Sequence, residues 1–493
     1  MIWKAELLPD LKASERKEAL EMSFIEERKA LTREKRLSTL SNYDGSFKSL
    51  TDEIQGTEIK QKIRTLSQST YDEILYALQT LSALEETAII IHGVIGCAAS
   101  VLYHNHYKQV HWYSTNLNER DTILGGDEKL RKTVLRAYEE VNAKLIFIVG
   151  TPVVAINNDD VNSVILELEE EINAKIISIN TDGFKTKTPV TGYDIVLHGL
   201  LRYVVDRAAV NSHEKKDFIN VISLSENREN IAAIVKILRD LDIEFQLLPQ
   251  YADIKIIERA GEARATITLN SDEGGYFAEE LEEVFGVKYV RTSVPIGLRG
   301  TRHLIQKLAK ELDIEEKAKQ YIEQEEVKAE KLLHRKPLEG KSVFLDIDLA
   351  SAIHFTDFIE KLGGEVCELG IPYVDLNNRE NFKKLTTVNN AVPVIIANGQ
   401  LFEKANILNK KRADYYIGYG SQVSFAAKEG SIPVSLRSAG YLGYEGITRF
   451  VELIEHAGAG KGIFDFRKDR SASLYKESWL KKSSNWYVKQ EVK

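Results

Sequence analysis

From residue 87 onward the chain repeats one unit: a short apolar run, a loop, then an amphipathic helical stretch. The runs include Ala88–Ile91, Leu145–Val149, Lys175–Ile179, Ile219–Leu224, Ala265–Leu269, Ser342–Ile347, Val394–Ile396, Asp414–Ile417 and Pro433–Leu436. Between them lie helical patterns such as Asp127–Val141, Asp160–Ile172, Asn227–Leu241 and His354–Leu362. A strand that is apolar throughout has to be covered on both faces, and alternation with helices supplies that cover. The pattern therefore predicts an α/β fold of parallel sheets layered between helices. There are too many runs for one sheet, so they divide into three Rossmann-like, doubly wound domains, expected at 85–215, 216–335 and 336–465. A helical N-terminal extension (1–84) precedes them and a C-terminal tail (466–493) follows. The boundaries fall on polar connections near Asn211–Lys216 and on the charged helix Glu315–Leu333, which closes at Pro337-Leu338-Glu339-Gly340.

Composition narrows the class. A chain of 493 residues has room for three domains of roughly 150 residues each. No apolar run approaches the roughly 20 residues of a membrane span, and no signal-peptide core follows Met1-Ile2-Trp3-Lys4-Ala5-Glu6. The net charge of −8, without a basic stripe, argues against a nucleic-acid partner. The two cysteines, Cys97 and Cys367, stand far apart, which excludes a disulfide framework and suits a reducing cytoplasm. The expectation is a soluble cytoplasmic protein that binds neither nucleic acid nor membrane. In the N-terminal extension, Glu15 to Arg36 reads as a charged surface helix, Tyr43-Asp44-Gly45-Ser46 as a turn, and Leu66 to Leu84 as a helix that Ser67, Ser69 or Thr70 can cap. The tail, with Trp479, Trp486 and Tyr487, is expected to pack onto the body or a partner.

Doubly wound sheets bind ligands at the carboxyl ends of their strands. The loops expected there are Gly93–Cys97, Gly150-Thr151-Pro152, Asn180-Thr181-Asp182-Gly183, Asn270–Gly275 and Gly418-Tyr419-Gly420-Ser421. The first is the most informative: Ile89-Ile90-Ile91-His92 runs into Gly93, and Gly96 stands directly ahead of Cys97. Two glycines let the main chain pass close to a bulky neighbour. An iron–sulfur cluster, whose sulfides accept main-chain N–H groups, is such a neighbour. An inert buried thiol is the alternative. Cys367, on an interior strand, reads as core. His92, His104, His106 and His111 match no common zinc spacing, although a strand would turn His104 and His106 to one face. Gly418–Ser421 lacks the Lys-Ser/Thr ending of a phosphate loop.

Taken in order, several segments resemble the component 1 family of nitrogenases, which includes catalytic subunits, cofactor scaffold subunits and nitrogenase-like reductases. They are His92-Gly93-Val94-Ile95-Gly96-Cys97-Ala98, the stretch Thr115–Gly126, Gly150-Thr151-Pro152 with Asn158-Asp159-Asp160, Thr181-Asp182-Gly183-Phe184, Thr191-Gly192-Tyr193-Asp194, Pro295-Ile296-Gly297-Leu298 and Gly443-Tyr444-Glu445-Gly446. Family members with an eight-iron cluster use three cysteines per subunit, and the matching positions here are Asp72, Cys97 and Thr151. The large cofactor's cysteine and histidine fall at about Asn270 or Ser271 and at about Arg437. Neither replacement is a good ligand, and a guanidinium does not lose its proton to bind metal. This chain is therefore not expected to carry the large cofactor by itself.

The resemblance implies a subunit that relays electrons from a separate ATP-hydrolysing iron protein to a homologous component 1-type subunit. They would pass through a 4Fe–4S or larger iron–sulfur cluster shared at the interface. Cys97 and Asp72 would be its metal ligands; Gly93, Gly96 and Arg437 would line it, with a structural salt bridge the other role open to Arg437. A scaffold for cofactor assembly and a metal-free structural subunit are the competing readings.

Overall fold

The computed structural model describes residues 42–46, 73–97, 111–181, 190–211, 214–374, 392–397, 401–419, 423–460, 462 and 475–482. Strand β1 (Asn42–Ser46) comes first in the chain but joins the last sheet. The first sheet holds β2 (Thr87–His92), β3 (His111–Ser114), β4 (Leu145–Gly150) and β5 (Lys175–Asn180), in the order β3-β2-β4-β5. The second holds β6 (Lys216–Ser223), β7 (Phe245–Pro249), β8 (Ala263–Thr268) and β9 (Lys288–Tyr289), in the order β7-β6-β8-β9. The third adds β10 (Ser342–Asp346), β11 (Glu365–Ile371), β12 (Pro393–Ala397), β13 (Tyr415–Gly418) and β14 (Ile432–Ser435), in the order β1-β12-β11-β10-β13-β14. Every pairing is parallel except β1 with β12.

Each apolar run named above lies on a strand, and β2 and β4 are buried along their whole length. In every sheet the chain leaves a central strand in one direction and returns to build in the other. This makes a crevice between the carboxyl ends of β2 and β4, of β6 and β8, and of β10 and β13.

Residues 42–46 are a strand rather than a turn. Tyr43 is buried, and its hydroxyl donates to the Ser46 carbonyl at 3.1 Å. Its ring lies across Gly45, where a Cβ would come within 2.8 Å of Tyr43 Cζ. Gly45 thus makes room for an aromatic ring on the same face of an edge strand, and Asp44-Gly45 does not reverse the chain. Part of the N-terminal extension is in this way built into the third sheet.

Apolar clusters bind the sheets together. One runs from the second sheet to the third through Val221, Ile234, Leu304, Leu345, Ile396 and Phe450. Another joins the first to the second through Phe147, Tyr193, Ile222 and Leu281. The resembling segments at 295–298 and 443–446 meet each other: Ile296 bridges Leu442, and Gly443 N–H donates to the Pro295 carbonyl at 2.7 Å. The tail segment 475–482 packs onto the helix Leu401–Lys411, with Tyr475 and Trp479 edge-on to Phe402 and Asn406 Nδ2 donating to the Leu480 carbonyl. Trp486 and Tyr487 lie outside the described residues. Among the described residues no helix is long and apolar enough to cross a membrane.

The helix Glu73–Leu81 crosses the helix Thr191–Tyr203 at Gly192, where a Cβ would meet Ala77 N at 2.8 Å and the Glu73 carbonyl more closely still. Thr191 Oγ1 donates to the buried Glu73 carboxylate at 3.0 Å beside that crossing. Gly192→Val should force the two helices apart at a cost of about 1–3 kcal/mol, read as a fall of several degrees in the thermal unfolding midpoint.

Candidate functional sites at the carboxyl ends of the strands

At the end of β2 the chain turns through Gly93 into a short 3-10 turn, Ile95–Cys97. His92 is fully buried, and its Nδ1 lies 3.1 Å from Thr115 Oγ1. That same oxygen accepts the Gly93 N–H at 2.9 Å. The Thr115 hydroxyl also lies 3.4 Å from the Gly93 carbonyl, to which it can donate, and on the other side of the ring His92 Nε2 stands 3.3 Å from Asp159 Oδ2. Burial pulls the His92 pKa down to about 4, so the ring is neutral at physiological pH. Burial first, then the charge of Asp127, raises that of Asp159. Thr151 at the end of β4 is fully buried, and its N–H donates to the His92 carbonyl at 3.0 Å.

Gly93 has a φ of +146°, and a Cβ there would come within 2.7 Å of Thr151 Cβ, with the Thr151 hydroxyl closer. The room left by Gly93 is occupied by Thr151. A Cβ on Gly96 would meet nothing. Cys97 is half-buried in the turn, its N–H donating to the Val94 carbonyl at 3.0 Å. Asp72 lies outside the described residues, as do His104 and His106. Among the described residues no three His, Cys, Asp or Glu side chains gather as a metal-ligand group. Cys367 sits on interior strand β11 with its thiol donating to the Val343 carbonyl at 3.4 Å, and burial lifts its pKa to about 11.

The Cys97 turn stands on an apolar edge. Ile95 in the turn is 47% exposed, Ile123 and Leu124 beyond β3 are 81% and 71% exposed, and Ile156 beyond β4 is 70% exposed. The short helices Glu119–Leu124 and Pro152–Asn157 that carry the last three pack on each other. A cleft of about 570 Å³ opens alongside, lined by Ile95, Trp112, Asn116, Lys132 and Arg136 among others.

A second centre forms where the crevices of the second and third sheets face each other. Three helices begin there: Arg228–Asp240 just after Glu226, Ser271–Phe285 with Glu273 in its first turn, and Leu349–Lys361 capped by Asp348. Ser225 donates to Glu273 at 2.7 Å, Asn230 to Glu226 at 2.5 Å, and Tyr419 to Asp348 at 2.9 Å, with the Tyr441 hydroxyl 3.3 Å from that of Tyr419. Burial, then the neighbouring Glu226 charge, raises the Glu273 pKa to about 8. Burial, then the Asp348 charge, brings Glu226 to about 7. Arg437 is exposed, makes no ion pair among the described residues, and places its charge within reach of Tyr193 from the first domain.

The groups named at this centre include carboxyls, tyrosines and one guanidinium, but no thiol and no imidazole. They do not suit a soft metal–sulfur cofactor. Sequence reasoning pointed to the loops holding Glu273 and Tyr419 but missed Glu226, Asp348 and Tyr441, each of which reads locally as an ordinary residue at a helix start or in a loop.

Two outcomes follow from the first-domain site. Gly93→Ala should destabilise the chain by overpacking against Thr151, and a Gly93→Ala/Thr151→Ala double variant should recover part of the loss in a double-mutant unfolding cycle. The depressed His92 pKa makes the folded state bind fewer protons than the unfolded one between pH 6.5 and about 4. The stability advantage of wild type over His92→Gln should therefore be full above pH 6.5 and shrink as pH falls to about 4, by on the order of 3 kcal/mol, measured by denaturant unfolding across that range.

A family described as nitrogenase component 1 type oxidoreductase matches residues 74–457. The nitrogenase iron-molybdenum cofactor biosynthesis protein NifE of Clostridium pasteurianum is 25% identical over 369 residues, covering 71% of this chain and 78% of that protein. The nitrogenase molybdenum-iron protein alpha chain of Methanosarcina barkeri is 24% identical over 313 residues, covering 60% and 58%. The solved structure of nitrogenase Cp1 at pH 5 superposes with a TM-score of 0.71 at 17% identity, covering 96% of this chain and 98% of that one. The chain belongs to the nitrogenase component 1 type oxidoreductase family.

Proposed function

We propose that this chain is the subunit of a nitrogenase-like two-component oxidoreductase that does not carry the large cofactor. It would lend one ligand to an iron–sulfur cluster shared with a homologous subunit, and electrons would reach it from an ATP-hydrolysing iron protein. The observation that carries the reading is the half-buried Cys97 thiol on a turn whose surroundings, Ile95, Ile123, Leu124 and Ile156, are exposed and apolar. Covering one such side chain with a partner is worth about 1.5–3 kcal/mol, so this edge favours association. A single thiol cannot hold a cluster; a second chain seated on this edge brings others within reach. Bound there, the cluster would supply one-electron transfer. The chain's own residues supply the rest: Thr115 and Thr151 fix the Gly93 turn that aims the thiol, and the apolar rim shuts out water.

A scaffold role is the second reading, favoured by the likeness to NifE, a protein named for cofactor biosynthesis. A chain that holds a metal cluster only in passing needs few permanent ligands. Steady substrate reduction driven by an iron protein and ATP separates relay from scaffold.

Cys97→Ser, purified anaerobically with whatever chains accompany it, should lose its iron and acid-labile sulfide while keeping its folded secondary structure by circular dichroism. Unchanged iron content would sink the ligand assignment. Ile123→Asp/Leu124→Asp should release the accompanying subunit on size-exclusion chromatography.

A further inference from the structure

Strand β2 alternates its side chains between two apolar layers, and His92 follows Ala88 and Ile90 toward the helices Asp127–Val141 and Val161–Glu169. There its Nε2 stands 3.3 Å from Asp159 Oδ2, yet the two are not aligned as a hydrogen bond, and neither atom has another partner. Both side chains are withdrawn from water, His92 fully and Asp159 with only 4% exposed. Asp127 adds a second carboxylate that acts on Asp159, and among the described residues neither acid has a Lys or Arg partner. Buried polar atoms left in this state call for a bound water or ion.

We propose that His92 Nε2 and Asp159 Oδ2 are two ligands of a single divalent metal ion of the zinc or ferrous type, with water in its remaining positions. A hydrogen bond between such a pair, if charged, would be about 2.7–2.9 Å long. An imidazole nitrogen and a carboxylate oxygen on one tetrahedral ion stand about 3.3–3.5 Å apart. The observed separation fits the second case. Gly126 leaves space beside both donors: a Cβ there would lie 2.8 Å from His92 Cε1 and 3.0 Å from Asp159 Oδ2.

The far side of the ring is set for ligation as well. Nδ1 lies 3.1 Å from Thr115 Oγ1, and the Thr115 hydroxyl can itself donate to the Gly93 carbonyl. With the Nδ1 proton given to Thr115, the Nε2 lone pair is left for the metal, as a bound imidazole requires. The start of the helix Asp127–Val141 carries about half a positive charge and opposes a cation; two carboxylates outweigh it. Imidazole beside carboxylate suits zinc or ferrous iron, whereas calcium and magnesium take oxygen ligands. The ion would tie the end of β2 to the loop between the helices Pro152–Asn157 and Val161–Glu169. It uses no thiol and does not depend on the cluster reading.

The test is isothermal titration of the full-length, chelator-treated chain with zinc chloride, with metal analysis after gel filtration. Every sample carries Cys97→Ser, so that this thiol takes no part. One zinc per chain should bind at this site. Asp159→Asn, nearly identical in shape, should weaken that binding at least about tenfold, and Thr115→Val, which leaves both ligands in place, by about 10–100-fold. No zinc bound by the parent, or equal affinity in parent and Asp159→Asn, overturns the site. Thr115→Val serves where Asp159→Asn fails to fold by circular dichroism, and unaltered affinity in that variant also overturns the proposal.

Discussion

A parallel sheet covered on both faces leaves its polar residues one place to go, the ends of the strands. Everything chemically notable in this chain obeys that constraint. His92, Gly93 and Thr151 close the first crevice, Ser225, Glu226 and Glu273 the second, and Asp346, Asp348 and Tyr419 the third. Among the polar residues inside the sheets, Asn220 on β6 has its amide satisfied, with Nδ2 donating to the Ala260 carbonyl and to Thr266 Oγ1 and Oδ1 accepting from Gln246. At the second and third crevices, which face each other, the Asn230 amide of one domain accepts backbone N–H groups of the other.

The first crevice shows how few atoms set the thiol's position. Thr115 Oγ1 alone serves Gly93 N–H and His92 Nδ1, and the Gly93 carbonyl accepts the Leu117 N–H at 2.9 Å. Gly93 lacks a Cβ because Thr151 fills that space, so the glycine that suggested a cluster in the sequence is explained first by a threonine. Gly96, by contrast, has open space where a Cβ would stand. The two glycines look alike in the sequence and stand in different surroundings.

Which elements were legible follows from periodicity. Runs such as Ile89–Ile91 and Leu145–Val149 are apolar at every position, and the helix Asp127–Val141 keeps Leu130, Val134 and Ala137 on one side. Strand β3 has exposed or half-exposed residues because it is an edge and does not announce itself, whereas β11, with Val366, Leu369 and Ile371 beside Glu365, Cys367 and Glu368, is legible as an interior strand around Cys367. Strand β1 hides behind an Asp-Gly pair whose glycine serves a buried ring. The thiol site was visible because glycines and cysteine are adjacent in the chain. The acidic centre was not, because its carboxyls are separated by tens of residues, and their unusual protonation arises only when folding brings them together.

The two centres divide the chemistry between them. The described groups of the second centre, carboxyls, tyrosines and a guanidinium, are poor partners for a metal–sulfur cluster, whereas the proposed function makes the Cys97 thiol a ligand in need of companions. On the proposed reading, the missing ligands arrive with a second chain. Cluster binding and association are then the same event thermodynamically: metal that binds only the assembled form stabilises it by RT ln(1 + [L]/Kd), and removing the metal must weaken the pairing by an equal amount. An edge that associates through Ile95, Ile123, Leu124 and Ile156 regardless of iron would instead mark an architectural subunit, in which the thiol is a bystander.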